Sequence, residues 1–239
     1  MRKTLLRAAS AVLCAGVLAT SAVPVAGALE PTWFIPGVDS PPDDSDPKPN
    51  VEMEQKTHCA TSVVLPDSQF QTIPANEVFN VEKLHIYATG KGQRVAVIDS
   101  GVTKNVRLPD LVGAGDYIMG GDGLTDCDHH GTLIAGIIAA RPATGDGFIG
   151  VAPDAGIISL RQTSAAYGPK KSDEQPPSSL DTLARAIVRA VNHGATVINM
   201  SVTACLPANS TMDLTKLRGA LHYACLLYTS PSPRDKRQS

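Results

Sequence analysis

The chain has 239 residues, with 21 lysines and arginines against 23 aspartates and glutamates, so its formal net charge is −2. This balance argues against a strongly basic protein that binds nucleic acid, and we predict no nucleic-acid partner. Hydrophobic residues make up 43% of the chain and charged residues 18%, which excludes disorder over its whole length. The length fits one α/β domain with flanking segments.

The N-terminal residues resemble an export signal. Residues 1–28 combine a basic start, an apolar stretch over residues 8–25 and small residues at positions 26–28. This order is typical of a secretory signal peptide with an A-x-A processing site. The alternative is an uncleaved anchor helix, which Pro24 disfavours because proline interrupts a helix. We therefore predict an exported protein of the cell envelope or the extracellular space.

Four cysteines follow the predicted signal peptide: Cys59, Cys127, Cys205 and Cys225. In an exported protein an even number of cysteines argues for two disulfides, for which three pairings are possible. Zinc binding is the competing interpretation. The chain has no C-x-x-C pair and no cysteine–histidine cluster with the usual ligand spacing, so we predict no metal and no cofactor.

The remaining pattern alternates between strands and helices. Residues 31–49 contain six prolines among several aspartates, which indicates an extended, solvated arm. Short β-branched runs predict strands at 94–98, 157–160 and 196–198, and apolar residues at helical spacing predict helices at 131–140 and 183–191. The polar segment 163–179 is predicted to be a surface loop. This alternation favours an α/β fold, a parallel sheet with helices on both faces.

Two residues of this pattern could form part of a catalytic site. Asp99 directly follows the first predicted strand, at the end where ligand sites of parallel sheets lie, and His130 immediately precedes the first predicted helix. A buried carboxylate can hold an imidazole in one tautomer, so the pair could be the general-base half of a nucleophilic triad. Each residue alone is a weak signal, because Asp99 could be a turn residue and His130 a polar residue of a first helical turn.

Four motifs together are more specific. They resemble, in order and spacing, motifs of the subtilisin-like serine proteases: Val-Ala-Val-Ile-Asp99-Ser-Gly-Val, Asp128-His-His130-Gly-Thr-Leu-Ile-Ala-Gly, Gly150-Val-Ala-Pro-Asp-Ala and Val197-Ile-Asn-Met-Ser201. The resemblance implies a subtilisin-like fold and a serine endopeptidase that acts on protein or peptide substrates. It also implies that Asp99 is the triad acid and His130 the general base. Ser201, Val202 and Thr203 would lie on the strand that pairs with the substrate.

Two longer segments resemble the mycosins, subtilisin-like proteases associated with type VII secretion in mycobacteria and related actinobacteria. These segments are Thr125-Asp-Cys-Asp-His-His130-Gly-Thr and Asp154-Ala-Gly-Ile-Ile-Ser-Leu-Arg161-Gln-Thr-Ser. The resemblance implies an exported arm tied to the catalytic domain, which a disulfide between Cys59 and Cys127 would provide. It also implies the type VII secretion machinery as a partner. The broader family usually has a small residue in place of His129 and a histidine in place of Leu133.

Two family motifs do not occur in this sequence. The serine nucleophile of the family lies in a Gly-Thr-Ser-x-Ala motif, and its oxyanion-hole asparagine lies in an Ala-Gly-Asn motif. Mycosins also share a C-terminal membrane helix, which would anchor the protein only if a missing C-terminus carried it. We therefore expect a peptidase fold that is incomplete at the C-terminus.

The resulting division of the chain has four parts. We predict a signal peptide at 1–28, an extended Pro-rich arm at 29–80, the N-terminal part of a peptidase domain at 81–225 and a foreign tail at 226–239. The tail resembles translated sequencing-adaptor sequence. The alternative function is a non-catalytic scaffold or binding protein that keeps the fold without the nucleophile.

Overall fold

The structure is a computed structural model that describes residues 40–44, 46–63, 70–71, 73–171, 179–202 and 213–229. All of these belong to one unit of the chain, residues 34–239. The predicted signal peptide, Thr203 and Cys205 lie outside the described residues.

A four-stranded parallel sheet lies at the centre of the described chain. Its strands, numbered by their place in the chain, are β2 (Arg94–Asp99), β3 (Leu111–Asp116), β4 (Gly156–Arg161) and β6 (Val197–Met200). Across the sheet they follow the order β3-β4-β2-β6. Residues 95–99 and 157–161 of the two inner strands are buried throughout. Continuous burial explains why these strands are runs of apolar residues rather than alternating patterns, since both faces of the sheet are covered.

Helices cover both faces of this sheet, as predicted. The helix α3 (His130–Ala139) lies on one face, and α4 (Leu180–Asn192) and α5 (Thr215–Thr229) lie on the other. Val95 and Val97 pack with α3, whereas Ala96 and Ile98 pack with α4 and α5. Successive side chains of a strand point to opposite faces, so β2 contributes to both cores.

Shorter elements precede the sheet and follow its central strands. The strand β1 (Met53–Gln55) and the helices α1 (Pro74–Phe79) and α2 (Val81–His85) precede it, and β5 (Tyr167–Pro169) follows β4. The helix α5 continues four residues past the boundary that we drew at residue 225. Within the described ranges, no helix has both the length and the hydropathy that crossing a membrane requires.

The structure differs from the sequence-based expectation where the arm meets residues 163–179. This segment was predicted to be a surface loop, but its strand β5 pairs with β1 of the arm in antiparallel register. Three-residue strands carry too little side-chain pattern to be recognised, and the pairing is made by the backbone of two distant segments. Inspection of either segment alone therefore misses the contact.

The arm is also less solvated than its composition indicates. Pro47 is buried against Gly115, where an added Cβ would lie 2.6 Å from the proline ring. Asp44 accepts hydrogen bonds from Arg189 at 3.0 Å and from Asn192 at 2.9 Å, both on α4. These partly exposed polar contacts contribute little stability singly, but they fix the path of the arm along the helix.

The core beneath α4 contains a buried tyrosine without a hydrogen-bond partner. Tyr117 is fully buried, and no described residue accepts or donates at its hydroxyl. The guanidinium of Arg185 lies 5.2 Å from the centre of its ring. Burial raises the pKa of Tyr117 to about 12, because the charged phenolate is disfavoured away from water.

We expect Tyr117→Phe to leave the free energy of unfolding at pH 7 unchanged or to raise it by about 1 kcal/mol, because the change removes an unpaired buried hydroxyl. In the unfolded chain tyrosine ionises near pH 10. The stability that the buried neutral phenol contributes is therefore complete below about pH 10 and is lost as the pH rises towards 12. Urea unfolding between pH 7 and 11 should show this alkaline loss in the wild type and less of it in the variant. A variant destabilised by more than about 2 kcal/mol at pH 7 would contradict the unpaired hydroxyl.

Candidate active site

The strand β2 and the helix α3 bring Asp99 and His130 together at the carboxyl end of the sheet. Asp99 is the last residue of β2, and its Oδ1 lies 2.7 Å from Nδ1 of His130, the first residue of α3. The carboxylate is almost fully buried, with 1% of the side chain exposed, whereas the imidazole is 56% exposed. When Nδ1 donates to the carboxylate, Nε2 is left as the nitrogen that can accept a proton.

The turn after β2 fixes the position of the Asp99 carboxylate. Its Oδ1 also accepts a hydrogen bond from the backbone N–H of Ser100 at 2.7 Å. The carbonyl oxygen of Asp99 accepts from the N–H groups of Gln162 at 2.8 Å and Thr163 at 3.2 Å. Both the main chain and the side chain of Asp99 are therefore held by neighbouring backbone.

Two glycines allow α3 to start directly beside this turn. A Cβ added to Gly131 would lie 2.1 Å from the carbonyl oxygen of Gly101 and 3.2 Å from Asp99 Oδ1. Gly101 itself has a φ of +101°, a conformation that other residues rarely adopt. The distance between Asp99 and His130 thus depends on the absence of side chains at both positions.

A second buried carboxylate, to which no sequence motif assigns a role, joins the turn to the helix. Asp126 Oδ1 accepts from Ser100 Oγ at 2.9 Å, and its Oδ2 accepts from the backbone N–H and the hydroxyl of Thr132 at 2.8 and 2.5 Å. Ser100 Oγ in turn accepts from the N–H of Gly131 at 2.9 Å. A carboxylate is favourable here because the first N–H groups of a helix have no partner within the helix.

The residue before the general-base candidate is held in an unusual conformation. His129 has φ 62° and ψ −3°, in the left-handed region. For a residue other than glycine this conformation costs about 1 kcal/mol or more. A glycine would adopt it without that penalty, which gives a physical reason for the small residue that subtilisin-like proteases usually carry here.

A cleft of about 580 Å³ lies beside the Asp99–His130 pair. Besides the pair, the cleft is lined by three segments that lie far apart in sequence. These are residues 57, 58 and 60 of the arm, residues 163–166, and Ser201. Of the residues predicted to pair with a substrate, Ser201 lies at the cleft and its Oγ accepts from Nδ2 of Asn199 at 3.0 Å. Val202 is partly buried directly beyond it, and Thr203 lies outside the described residues.

A disulfide fastens the arm to the wall of this cleft. Cys59 of the arm is bonded to Cys127, as the resemblance to the mycosins implied. The N–H of Ala60 donates to the carbonyl oxygen of Cys127 at 2.8 Å. Cys127 is buried, whereas Cys59 is exposed. The bond therefore closes at the rim of the cleft, three residues before His130.

The chain belongs to the subtilase family, because the Subtilase family model matches residues 90–226. Mycosin-1 of Mycolicibacterium smegmatis is 41% identical to it over 218 residues, which cover 87% of this chain and 48% of that protein. The chain thus spans about half the length of the curated relatives that it matches. The resemblance to the mycosins indicated by the motifs is confirmed.

Solved structures lead to the same conclusion about the fold. The MycP3 protease from the type VII (ESX-3) secretion system is similar with a TM-score of 0.78 at 42% identity, over 84% of this chain and 56% of that chain. A chain of the periplasmic assembly from the ESX-5 inner membrane complex gives 0.75 at 41% identity, over 84% and 54%. The predicted subtilisin-like fold, a parallel sheet with helices on both faces, is confirmed.

We expect replacement of both Cys59 and Cys127 by alanine to lower the free energy of unfolding by about 4 kcal/mol. The disulfide closes a loop with a sequence separation of 68 residues, and the loss of that constraint gives this magnitude in the chain-entropy account. Urea unfolding without reductant measures the change. Cys225→Ala is the control, since it leaves the disulfide intact. A loss below about 1 kcal/mol in the double variant would contradict the role of the disulfide in holding the arm.

Proposed function

We propose that the chain is the N-terminal part of the peptidase domain of an exported, mycosin-like serine endopeptidase. The observation that supports this most directly is the 2.7 Å contact between the buried Asp99 carboxylate and the exposed His130 imidazole, at the edge of a cleft. The serine nucleophile and the oxyanion-hole asparagine are expected in a part of the complete protein that this sequence does not contain.

In the complete enzyme, His130 would act as the general base through Nε2. It would take the proton of the serine hydroxyl as that oxygen attacks the substrate carbonyl, and later give it to the leaving amine. Asp99 would keep Nδ1 protonated and stabilise the imidazolium that forms. The backbone of residues 201–203, which follow β6 in the sequence, would pair with an extended substrate peptide and so position the scissile bond.

The proposal extends to location and partners. One of the similar chains belongs to the periplasmic assembly of an inner membrane complex, and another to a type VII secretion system. We therefore propose that the complete protein works with a type VII secretion machinery in the cell envelope, after removal of residues 1–28. N-terminal sequencing of the exported protein tests the processing step, and a mature protein that still begins at Met1 would contradict it.

We expect Asp99→Asn in the complete enzyme to lower kcat by about 10⁴-fold while leaving the fold intact, because a neutral amide neither fixes the imidazole tautomer as a carboxylate does nor stabilises the imidazolium that forms. Turnover of a peptide substrate, measured alongside thermal unfolding, checks the result. The matched control is Asp110→Asn, which changes an exposed aspartate paired with Arg141. Turnover within about tenfold of the wild type would remove Asp99 from the triad.

We expect the 239-residue chain as written to have no triad-dependent peptidase activity. Two serine hydroxyls that line the cleft already donate elsewhere, Ser100 to Asp126 at 2.9 Å and Ser164 to Asp128 at 2.5 Å. The third serine there, Ser201, belongs to the segment expected to pair with the substrate. A serine-directed fluorophosphonate probe should therefore leave the purified chain unlabelled. Stoichiometric labelling that disappears in His130→Ala would show that a nucleophile is present after all.

Sequencing the gene past the codon for Cys225 complements the assay, because a Gly-Thr-Ser motif in frame supports the endopeptidase and an authentic stop codon supports a scaffold.

A further inference from the structure

Asp128 joins the segment that leads into His130 to residues 164–166, which form part of the wall of the cleft. Its Oδ2 accepts from the hydroxyl of Ser164 at 2.5 Å. Its Oδ1 accepts from the backbone N–H groups of Ala165 at 2.9 Å and Ala166 at 3.2 Å. One carboxylate thus binds three donors on three consecutive residues, all of which line the cleft.

The same wall is where the arm attaches. The carbonyl oxygen of Ala166 accepts from the N–H groups of Lys56 at 2.8 Å and Thr57 at 3.2 Å. At the other end, Cys59 is bonded to Cys127, the neighbour of Asp128. Residues 127–128, 164–166 and 56–60 therefore form a closed ring of contacts, which we call the cleft ring. Asp128 makes one of its three junctions, and the backbone pairing and the disulfide make the other two.

We propose that Asp128 is a positioning residue for substrate binding, which acts by fixing the backbone of residues 164–166 at the cleft. Both of its oxygens are engaged by the wall, and the imidazole of His130 has Asp99 as its carboxylate partner. Asp128 therefore shapes the surface that a peptide would contact without taking part in the proton transfer. This inference rests on the proposed peptidase function, which it deepens by naming a determinant of substrate affinity.

An aspartate suits position 128 because of the number of hydrogen bonds that its side chain can accept. Aspartate offers two oxygens that accept only, which matches one hydroxyl and two N–H groups. Asparagine keeps one oxygen for the two N–H groups, and its amide can donate to the Ser164 hydroxyl. Alanine leaves all three donors without this partner. The series Asp128→Asn and Asp128→Ala therefore separates loss of charge from loss of the wall contacts.

The first experiment uses the chain as written and measures amide hydrogen exchange at Ala165 and Ala166. Asp128→Ala should speed exchange at both amides by about tenfold or more, and Asp128→Asn should stay within about threefold of the wild type. The control Asp110→Ala should leave both rates unchanged. The Nδ1 proton resonance of His130 should keep its position in every variant. Unchanged exchange in Asp128→Ala would overturn the inference.

A folding defect would not remove the test. If Asp128→Ala fails to fold, Ser164→Ala takes its place, because it removes one of the three donors and should speed exchange at Ala165 by about threefold. Ala165 is the amide to measure here, since the N–H of Ala166 also donates to Ser164 Oγ at 3.1 Å. Unchanged rates in that variant would count against the inference in the same way.

The second experiment uses the complete protein and separates binding from chemistry. For a peptide substrate, Asp128→Ala should raise KM by about fivefold or more and leave kcat within about twofold, with rescue by Asp128→Asn. A fall in kcat at unchanged KM would overturn the assignment, since it would place Asp128 at the reacting atoms. A complete wild-type protein without peptidase activity would refute the proposed function, and the exchange rates would still decide whether Asp128 holds the wall.

Discussion

The contact between Asp99 and His130 requires the end of a buried strand and the start of a helix to lie unusually close together. A Cβ at residue 131 would collide with the carbonyl oxygen of Gly101, and a Cβ at residue 101 would collide with that of Thr125, so both positions require glycine. Asp126 then holds the two segments in that position by accepting hydrogen bonds from both of them. The short distance between carboxylate and imidazole therefore depends on the close approach of the two backbone segments and on the Asp126 carboxylate, as well as on the two side chains themselves.

The walls of the cleft are built from different segments of the chain than the Asp99–His130 pair. The pair is built by β2 and the first turn of α3, each of which carries its own sequence motif. The walls are built by the arm, by residues 163–166 and by Ser201, which are distant in sequence and meet only in the folded chain. Backbone hydrogen bonds, a disulfide and the Asp128 carboxylate make these contacts, and no local sequence pattern shows which distant segments they join.

This difference explains which parts of the fold and of the site could be predicted from the sequence. The strands β2 and β4 were predictable because buried parallel strands are apolar runs, and β6 from its β-branched residues. Asp99 and His130 stood out because one follows a strand pattern and the other precedes a helix pattern, and the motif resemblance implied their roles. The short strands β1 and β5 were missed, since pairing between the arm and the segment after β4 has no local signal. Asp126 was missed because its partners become neighbours only when the turn after β2 packs against α3. The disulfide was anticipated from the resemblance to the mycosins rather than from cysteine spacing.

The left-handed backbone conformation of His129 is explained by contacts that hold the chain on both sides of this residue. A residue other than glycine keeps a left-handed conformation only when the surrounding structure holds it there. On one side, Cys127 is bonded to the arm and Asp128 to the cleft wall. On the other side, the first turn of α3 is held by Asp126 through Thr132. The anchored residues leave His129 little freedom to relax, so the orientation of His130 is set by contacts on both sides of it.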